Sequence, residues 1–289
     1  MPVNDELGKR MKEFYEQVPK TRLVRRMPVA IRIDGKAFHS FTKGFERPFD
    51  DVLIKSMQQT AQYLCENIQG CVLGYTQSDE ITLILVDYKN LESSAWFDYE
   101  VQKVCSISAS MATMAFNKFF EDNCYDWFED NVDLEQLVVD PDSKIGKLFN
   151  AYEKAYNRGA MFDARCFNIP KEEVCNLIYW RQLDATRNSI QMVGQANFSH
   201  KELHGKSCNM IQDMLMTEKG INWNDFPTYK KRGSCVVRKG CDDGRSHWVI
   251  DTEIPIFKGE GRDYVDSLIT FGCNCGGNCH CGGHCHDAK

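Results

Sequence analysis

The chain has 289 residues, 43% hydrophobic and 26% charged, enough for one large domain or two small ones and too apolar for whole-chain disorder. No apolar run approaches the roughly 20 residues of a membrane-spanning helix, and residues 1–6 lack the apolar stretch of a secretory signal, so the cytoplasm is the expected compartment. The net charge of −6 hides segregation: nine carboxylates and no Lys or Arg fall between Glu121 and Asp142, leaving the rest of the chain net basic.

Residues 5–17 read as a helix with Leu7, Met11, Phe14 and Tyr15 at a 3–4 spacing, ended by Pro19. Residues 28–33 read as a strand that stops at the turn dipeptide Asp34-Gly35. Asp50 or Asp51 then caps a helix whose core face is Leu53, Ile54, Met57, Ala61 and Leu64, closed by Gly70. Strands over 71–75 and 81–86 flank Thr76-Gln77-Ser78-Asp79 as a hairpin. A long helix is predicted over 96–120, a strand over 162–169 stopped by Pro170, and a helix over 172–192. The acidic stretch 121–159 reads as an insertion with no assigned element. The order β-α-β-β-α-β is the split βαβ pattern of an α+β fold, an antiparallel sheet with two helices on one face. A helical, basic extension follows from about 172. The division is one domain over 1–271, with the extension inside it, and a tail over 272–289.

In that topology Asp34 ends the first strand and Asp79 lies in a hairpin whose second strand is its neighbour. Two carboxylates meeting there suit Mg²⁺, which wants oxygen ligands in an octahedron, and Gly35 leaves room for a triphosphate. Two such ions activate an attacking hydroxyl and neutralise a leaving pyrophosphate. From spacing alone Asp-Gly and Ser-Asp are equally ordinary turn residues. Basic groups at Lys9–Arg26 and at Lys230, Lys231, Arg232, Arg238 and Lys239 read either as docking patches for a polyanion or as solvated surface.

The run Arg32-Ile33-Asp34-Gly35-Lys36-Ala37-Phe38-His39 with Phe45-Glu46-Arg47-Pro48-Phe49-Asp50, and the hairpin Gly74-Tyr75-Thr76-Gln77-Ser78-Asp79-Glu80, resemble the tRNA(His) guanylyltransferase family. Phe162-Asp163-Ala164-Arg165, Trp180-Arg181-Gln182-Leu183-Asp184, Gly220-Ile221-Asn222-Trp223 and Tyr229-Lys230-Lys231-Arg232-Gly233 follow in order, so the resemblance spans about residues 5–240. It implies a palm-like enzyme that extends the 5′ end of tRNA in the 3′→5′ direction after activating the 5′ phosphate with ATP or GTP, and that forms a homotetramer. Asp34, the Gly35 carbonyl and Asp79 would hold two Mg²⁺ ions, with Glu80 either completing the metal shell or tied down by cross-sheet pairing. The resemblance assigns Lys36, Ala37, Phe38, His39, Arg47, Asp50, Ser78, Lys103 and Arg165 to the nucleotide or the activated end; Lys103 reads equally as a surface lysine. Arg187, Asn188, Lys230, Lys231 and Arg232 would contact tRNA.

Where family members specific for histidine tRNA carry a His-Ile-Asn-Asn run, this chain reads Thr186-Arg187-Asn188-Ser189-Ile190. With that departure the chain resembles the branch that repairs tRNAs with an incomplete 5′ end, the opposite strand acting as template and supplying base choice. Ala164, in place of the family's Gly after Asp163, is a milder departure that only slightly tightens the backbone. The alternatives are single guanylate addition to histidine tRNA and a non-catalytic tRNA-binding protein with a metal-binding tail. A cyclic-nucleotide synthase on the same scaffold fits less well, because Thr76–Glu80 is not a glycine-rich hairpin. Nine cysteines between Cys65 and Cys241 stand singly and read as reduced buried thiols. Five more alternate with His and Gly between Cys273 and His286, either binding Zn²⁺ or Cu⁺ or forming a plain disordered end. His200, His204 and His247 are isolated in the sequence and read as surface or core residues.

Overall fold

The structure, a computed structural model, describes residues 6–132, 140, 142–240 and 246–270. Helix α1 (Glu6–Met11) runs on into a π-helical turn over Lys12–Glu16. The expected helix is present, but Leu7, Met11, Phe14 and Tyr15 are all exposed, so its apolar stripe lies outside the core. Strand β1 (Val29–Gly35) sends Val29, Ile31 and Ile33 to one face and Ala30, Arg32 and Asp34 to the other. A one-turn helix α2 (Phe38–Phe41) and a loop lead into α3 (Asp51–Asn67), whose N-cap is Asp50. The hairpin of β2 (Cys71–Gln77) and β3 (Glu80–Leu85) turns on Ser78 and Asp79, with Ser78 at φ +51°. Every residue of β3 is buried, as a central strand covered on both faces requires.

Helix α4 (Val101–Asn131), α5 (Lys144–Arg158), β4 (Phe162–Asn168) and the long α6 (Lys171–Asn197) follow. Then come the short α7 (His200–Leu203), α8 (Cys208–Lys219), α9 (Thr228–Arg232), β5 (Ser234–Gly240), β6 (Ser246–Asp251) and α10 (Arg262–Ile269). The strands form one six-stranded antiparallel sheet in the order β4-β1-β3-β2-β5-β6. Its first four members have the split βαβ order expected from the sequence. Helices α3 and α4 share one face, packing Met57, Ala61, Leu64, Val104 and Phe116 on Ile31, Ile33, Ile81 and Leu83. The extension covers the second face: Val174, Cys175 and Ile178 of α6 with Val265 and Ile269 of α10 lie on Ala30, Leu73 and Ile84.

Two expectations are corrected. The acidic stretch is substantially helical, since α4 continues through Asn131 and α5 occupies Lys144–Arg158. Aromatic rings hold the two together, Trp127 on Tyr152 at 5.1 Å and Phe128 on Phe149 at 4.7 Å, beneath a surface of carboxylates that masks the helical spacing. The C-terminal extension is not only helical and basic: β5 and β6 widen the sheet beyond β2. Ser234, Cys235, Val236 and Val237 are buried in succession, which erases the period-two signal of a strand. The Cys/His-rich tail and its proposed Zn²⁺ or Cu⁺ lie outside the described residues. Among those residues, no helix is long and apolar enough to cross a membrane.

Candidate active site

Strand β1 ends at Asp34-Gly35, and the β2–β3 hairpin delivers Asp79 to the same end of the sheet. The Gly35 amide donates to the Asp79 carbonyl at 3.0 Å. In register, Asp34 stands opposite Glu80 on one side and Asp163 on the other. Asp34, Gly35, Ser78 and Asp79 form one wall of a cleft of about 630 Å³, within the size range of small-molecule sites. The segment after β1 also lines it, with Ala37, His39, Arg47 and Asp50, and α6 contributes Met192 and Gln195.

That segment has an unusual backbone. Ala37 takes left-handed angles (φ 56°, ψ 39°), which cost an L-residue of this kind roughly 1 kcal/mol or more. The amides of Ser40 and Phe41 both return to the Ala37 carbonyl. The amides of Ala37, Phe38 and His39 have no partner among the described residues and line the cleft, an arrangement that offers successive N–H groups to an anion. Aromatic rings fix it in place: Phe38 sits 5.0 Å from Phe41, 5.5 Å from Phe116 and 5.2 Å from Phe162.

Burial first, then the charges of Glu80 and Asp163, push the Asp34 carboxyl above the ordinary aspartate range, with Arg165 and Arg32 pulling the other way. Asp79 is likewise raised, chiefly by burial and also by Asp34 and Glu80, although the Ser78 hydroxyl donates to it at 2.9 Å. No Lys or Arg among the described residues pairs with Asp79. Two desolvated, mutually repelling carboxylates beside a backbone carbonyl are a donor set for a hard cation. Among the described residues no group of three or more His, Cys, Asp or Glu side chains is placed to enclose an ion. Mg²⁺ keeps waters and takes substrate phosphate oxygens, so it needs few protein ligands.

The sequence model described as tRNAHis guanylyltransferase matches residues 8–170. The chain belongs to that family. Among solved structures, a bacterial tRNA(His) guanylyltransferase-like protein in complex with ATP superposes with a TM-score of 0.75 at 40% identity, covering 91% of this chain and 99% of that one. A bacterial guanylyltransferase-like protein in complex with GTP gives 0.70 at 36% identity, covering 92% and 100%. The tRNA(His) guanylyltransferase of Saccharomyces cerevisiae is 27% identical over 230 residues, 73% of this chain and 83% of the yeast protein.

Within this family member the site residues expected from sequence divide by location. Asp34, Gly35, Ala37, Phe38, His39, Arg47, Asp50, Ser78 and Asp79 all line the cleft. Lys36 is exposed beside it, its amide donating to the Met161 carbonyl. Arg165 sits next to Asp34, 3.9 Å from its Oδ2 and 2.8 Å from Asp163. Several assignments change. Phe38 contributes only backbone, because its ring belongs to the core. Gly35 lacks a side chain for packing reasons as well: a Cβ there would come within 2.3 Å of the Phe38 ring. Both oxygens of Asp50 accept hydrogen bonds, from the amides of Leu53 and Glu46 and from the Tyr152 hydroxyl at 2.7 Å, so it clamps the loop that lines the cleft.

Glu80 is also reassigned. It is buried and gripped by Arg181 at 2.6 Å and Arg32 at 2.9 Å, which spends its carboxylate on the sheet and on α6. Lys103 is exposed over the Phe97 ring near the start of α4. Thr113, ten residues further along and about 15 Å of helix away, is the residue that reaches the site end by accepting from the Phe162 amide. Lys103 is not among the residues that line the cleft. Lys231 is buried and donates to the Asn224 carbonyl at 2.5 Å, a structural role in place of the expected RNA contact. Lys230 pairs with Asp51 at 2.6 Å, Arg232 lies over the Trp223 ring, and Arg187 and Asn188 both bond Asp184.

Arg32, Arg181 and Tyr152 were missed as positioning residues. A lone arginine in the apolar run Val29–Ile33 was a visible signal for the first. Arg181 stood inside a quoted motif, but its partner is known only once α6 is laid on the sheet.

Proposed function

We propose that this chain is a nucleotidyltransferase acting at the 5′ end of tRNA, with its chemistry in the cleft at the Gly35 end of the sheet. The observation that carries this reading is the meeting of Asp34 and Asp79 from adjacent strand ends, in one pocket of nucleotide size with free backbone amides. Names of relatives support guanylate addition to histidine tRNA as the reaction. A second reading, template-directed repair of truncated 5′ ends, is favoured by Thr186-Arg187-Asn188-Ser189, where Arg187 and Asn188 are turned to Asp184 and Ser189 is buried.

Activation joins a 5′-phosphate oxygen to the α-phosphorus of ATP with loss of pyrophosphate. In the second step the 3′-hydroxyl oxygen of an incoming nucleotide attacks the activated phosphorus, its proton passes to solvent, and AMP leaves. Both are in-line transfers in which positioning and charge neutralisation dominate. Asp34, Asp79 and the Gly35 carbonyl would hold Mg²⁺, which supplies Lewis acidity and a more acidic hydroxyl. The amides of residues 37–39 bind phosphate oxygens. Ser78 orients Asp79 through its hydroxyl, and Arg165 balances charge beside Asp34. The deciding assay offers intact histidine tRNA, and tRNAs lacking their first 5′ nucleotide, to the protein with ATP and one NTP at a time. Guanylate on intact histidine tRNA alone establishes the first reading; addition only of the nucleotide complementary to the facing 3′ base establishes the second. No incorporation on any RNA refutes both.

A further inference from the structure

A second pocket, of about 490 Å³, adjoins the cleft and shares Arg47 and Gln195 with it as a common wall. Its other polar groups are Gln191 of α6, His200 and His204 around α7, and Lys206 in the following loop. No carboxylate lines it. The nearest in sequence, Glu202, is turned away into a capping box, accepting from the Ser199 amide at 2.7 Å. Arg47, His200, His204 and Lys206 are exposed, and neither Arg47 nor Lys206 has an ion-pair partner among the described residues. The two imidazoles stand 6.2 Å apart. The floor is built: Phe198, Ile211 and the partly buried Leu203 belong to the same apolar cluster as Phe49, Val193 and Leu215, which ties α6, α8 and the Arg47 loop together.

We infer that this pocket receives the phosphate backbone of the RNA whose 5′ end occupies the cleft, an inference that rests on the nucleotidyltransferase reading. Several unpaired cationic or donor groups without an opposing carboxylate match a chain of phosphates, each carrying one negative charge. Contacts of that kind set register and orientation on the nucleic acid. Continuity through Arg47 lets one strand pass from the cleft into the second pocket. A free nucleoside triphosphate bound there would be a different occupant, and the experiment separates the two.

Lys206→Ala, Lys206→Glu and the charge-matched control Lys154→Ala on α5 would be titrated with an acceptor-stem hairpin RNA recessed by one 5′ nucleotide, across a salt series, and separately with ATP. Circular dichroism would verify the fold of each. Lys206→Ala is expected to weaken RNA binding about three- to tenfold and reduce the salt slope by about 1, with ATP affinity unchanged. Lys206→Glu is expected to weaken it further, and Lys154→Ala to bind as wild type. Unchanged RNA affinity and salt slope in folded Lys206→Glu would overturn the inference. So would an equal loss in Lys154→Ala, or a loss of ATP affinity in place of RNA affinity. Failure of the underlying reading shows separately, as undiminished turnover by Asp34→Asn, and leaves the binding data untouched.

Discussion

Replacing Arg181 with Met tests whether Glu80 serves the fold or the metal. Arg181 donates to Glu80 at 2.6 Å and to Asp184 at 2.8 Å, with its side chain 7% exposed and that of Glu80 8% exposed. Removing one member of a buried pair leaves the other charge desolvated, at a cost of about 3–5 kcal/mol. Here Glu80 keeps Arg32 at 2.9 Å and Asp184 is better hydrated, which places the expected loss near the lower end, about 3 kcal/mol. At roughly 2–4 °C per kcal/mol for a chain approaching this size, the thermal midpoint should fall by about 6–12 °C. Denaturant unfolding of wild type, Arg181→Met and Glu80→Gln, together with turnover titrated against Mg²⁺, makes the comparison. Stability within 0.5 kcal/mol of wild type in Arg181→Met, together with a weakened Mg²⁺ dependence in a stably folded Glu80→Gln, would show that Glu80 is a metal ligand and refute the reasoning.

Asp34→Asn and Asp79→Asn should abolish turnover while leaving the fold at least as stable as wild type at neutral pH. The carboxyl pKa of each is raised in the folded state, so the native form holds protons more tightly and stability falls as pH rises from the ordinary value of 3.8 through the folded one. Melting curves from pH 4 to 8 should show that decline in wild type, partly reversed by added Mg²⁺, and show it reduced in either variant. Gly35→Ala should cost about 1–3 kcal/mol, because the new methyl drives into the Phe38 ring and opens the aromatic cluster; urea midpoints measure it. Tyr152→Phe removes the hydroxyl donated to the buried Asp50 and should destabilise by about 1.5–3 kcal/mol, with a raised nucleotide KM as the loop lining the cleft loosens.

Sequence carried the palm-like sheet because its first four strands are short, apolar and bounded by turn residues, and it carried the cleft because Asp34, Asp79 and the 35–50 segment sit in recognisable runs. Strand β5 was invisible since the burial of Ser234 through Val237 on both sides removes alternation. The hydrogen-bonding fates of Glu80 and Asp50 were equally hidden, because a carboxylate facing an ion and one facing two arginines, or two amides and a phenol, look alike in a string of letters. The place of Lys103 was open for a geometric reason: position along α4 sets how far from the cleft it lies, and that depends on how α4 is threaded against β4. The basic pocket went unread because its histidines are isolated in sequence and gain meaning only beside Arg47.

The bond from the Gly35 amide to the Asp79 carbonyl makes the sheet itself a gauge for the reaction centre. Neighbouring strands keep a pitch of about 4.8 Å whatever their side chains do, so the spacing between the β1 end and the hairpin is set by the backbone and not by the loops around the rim.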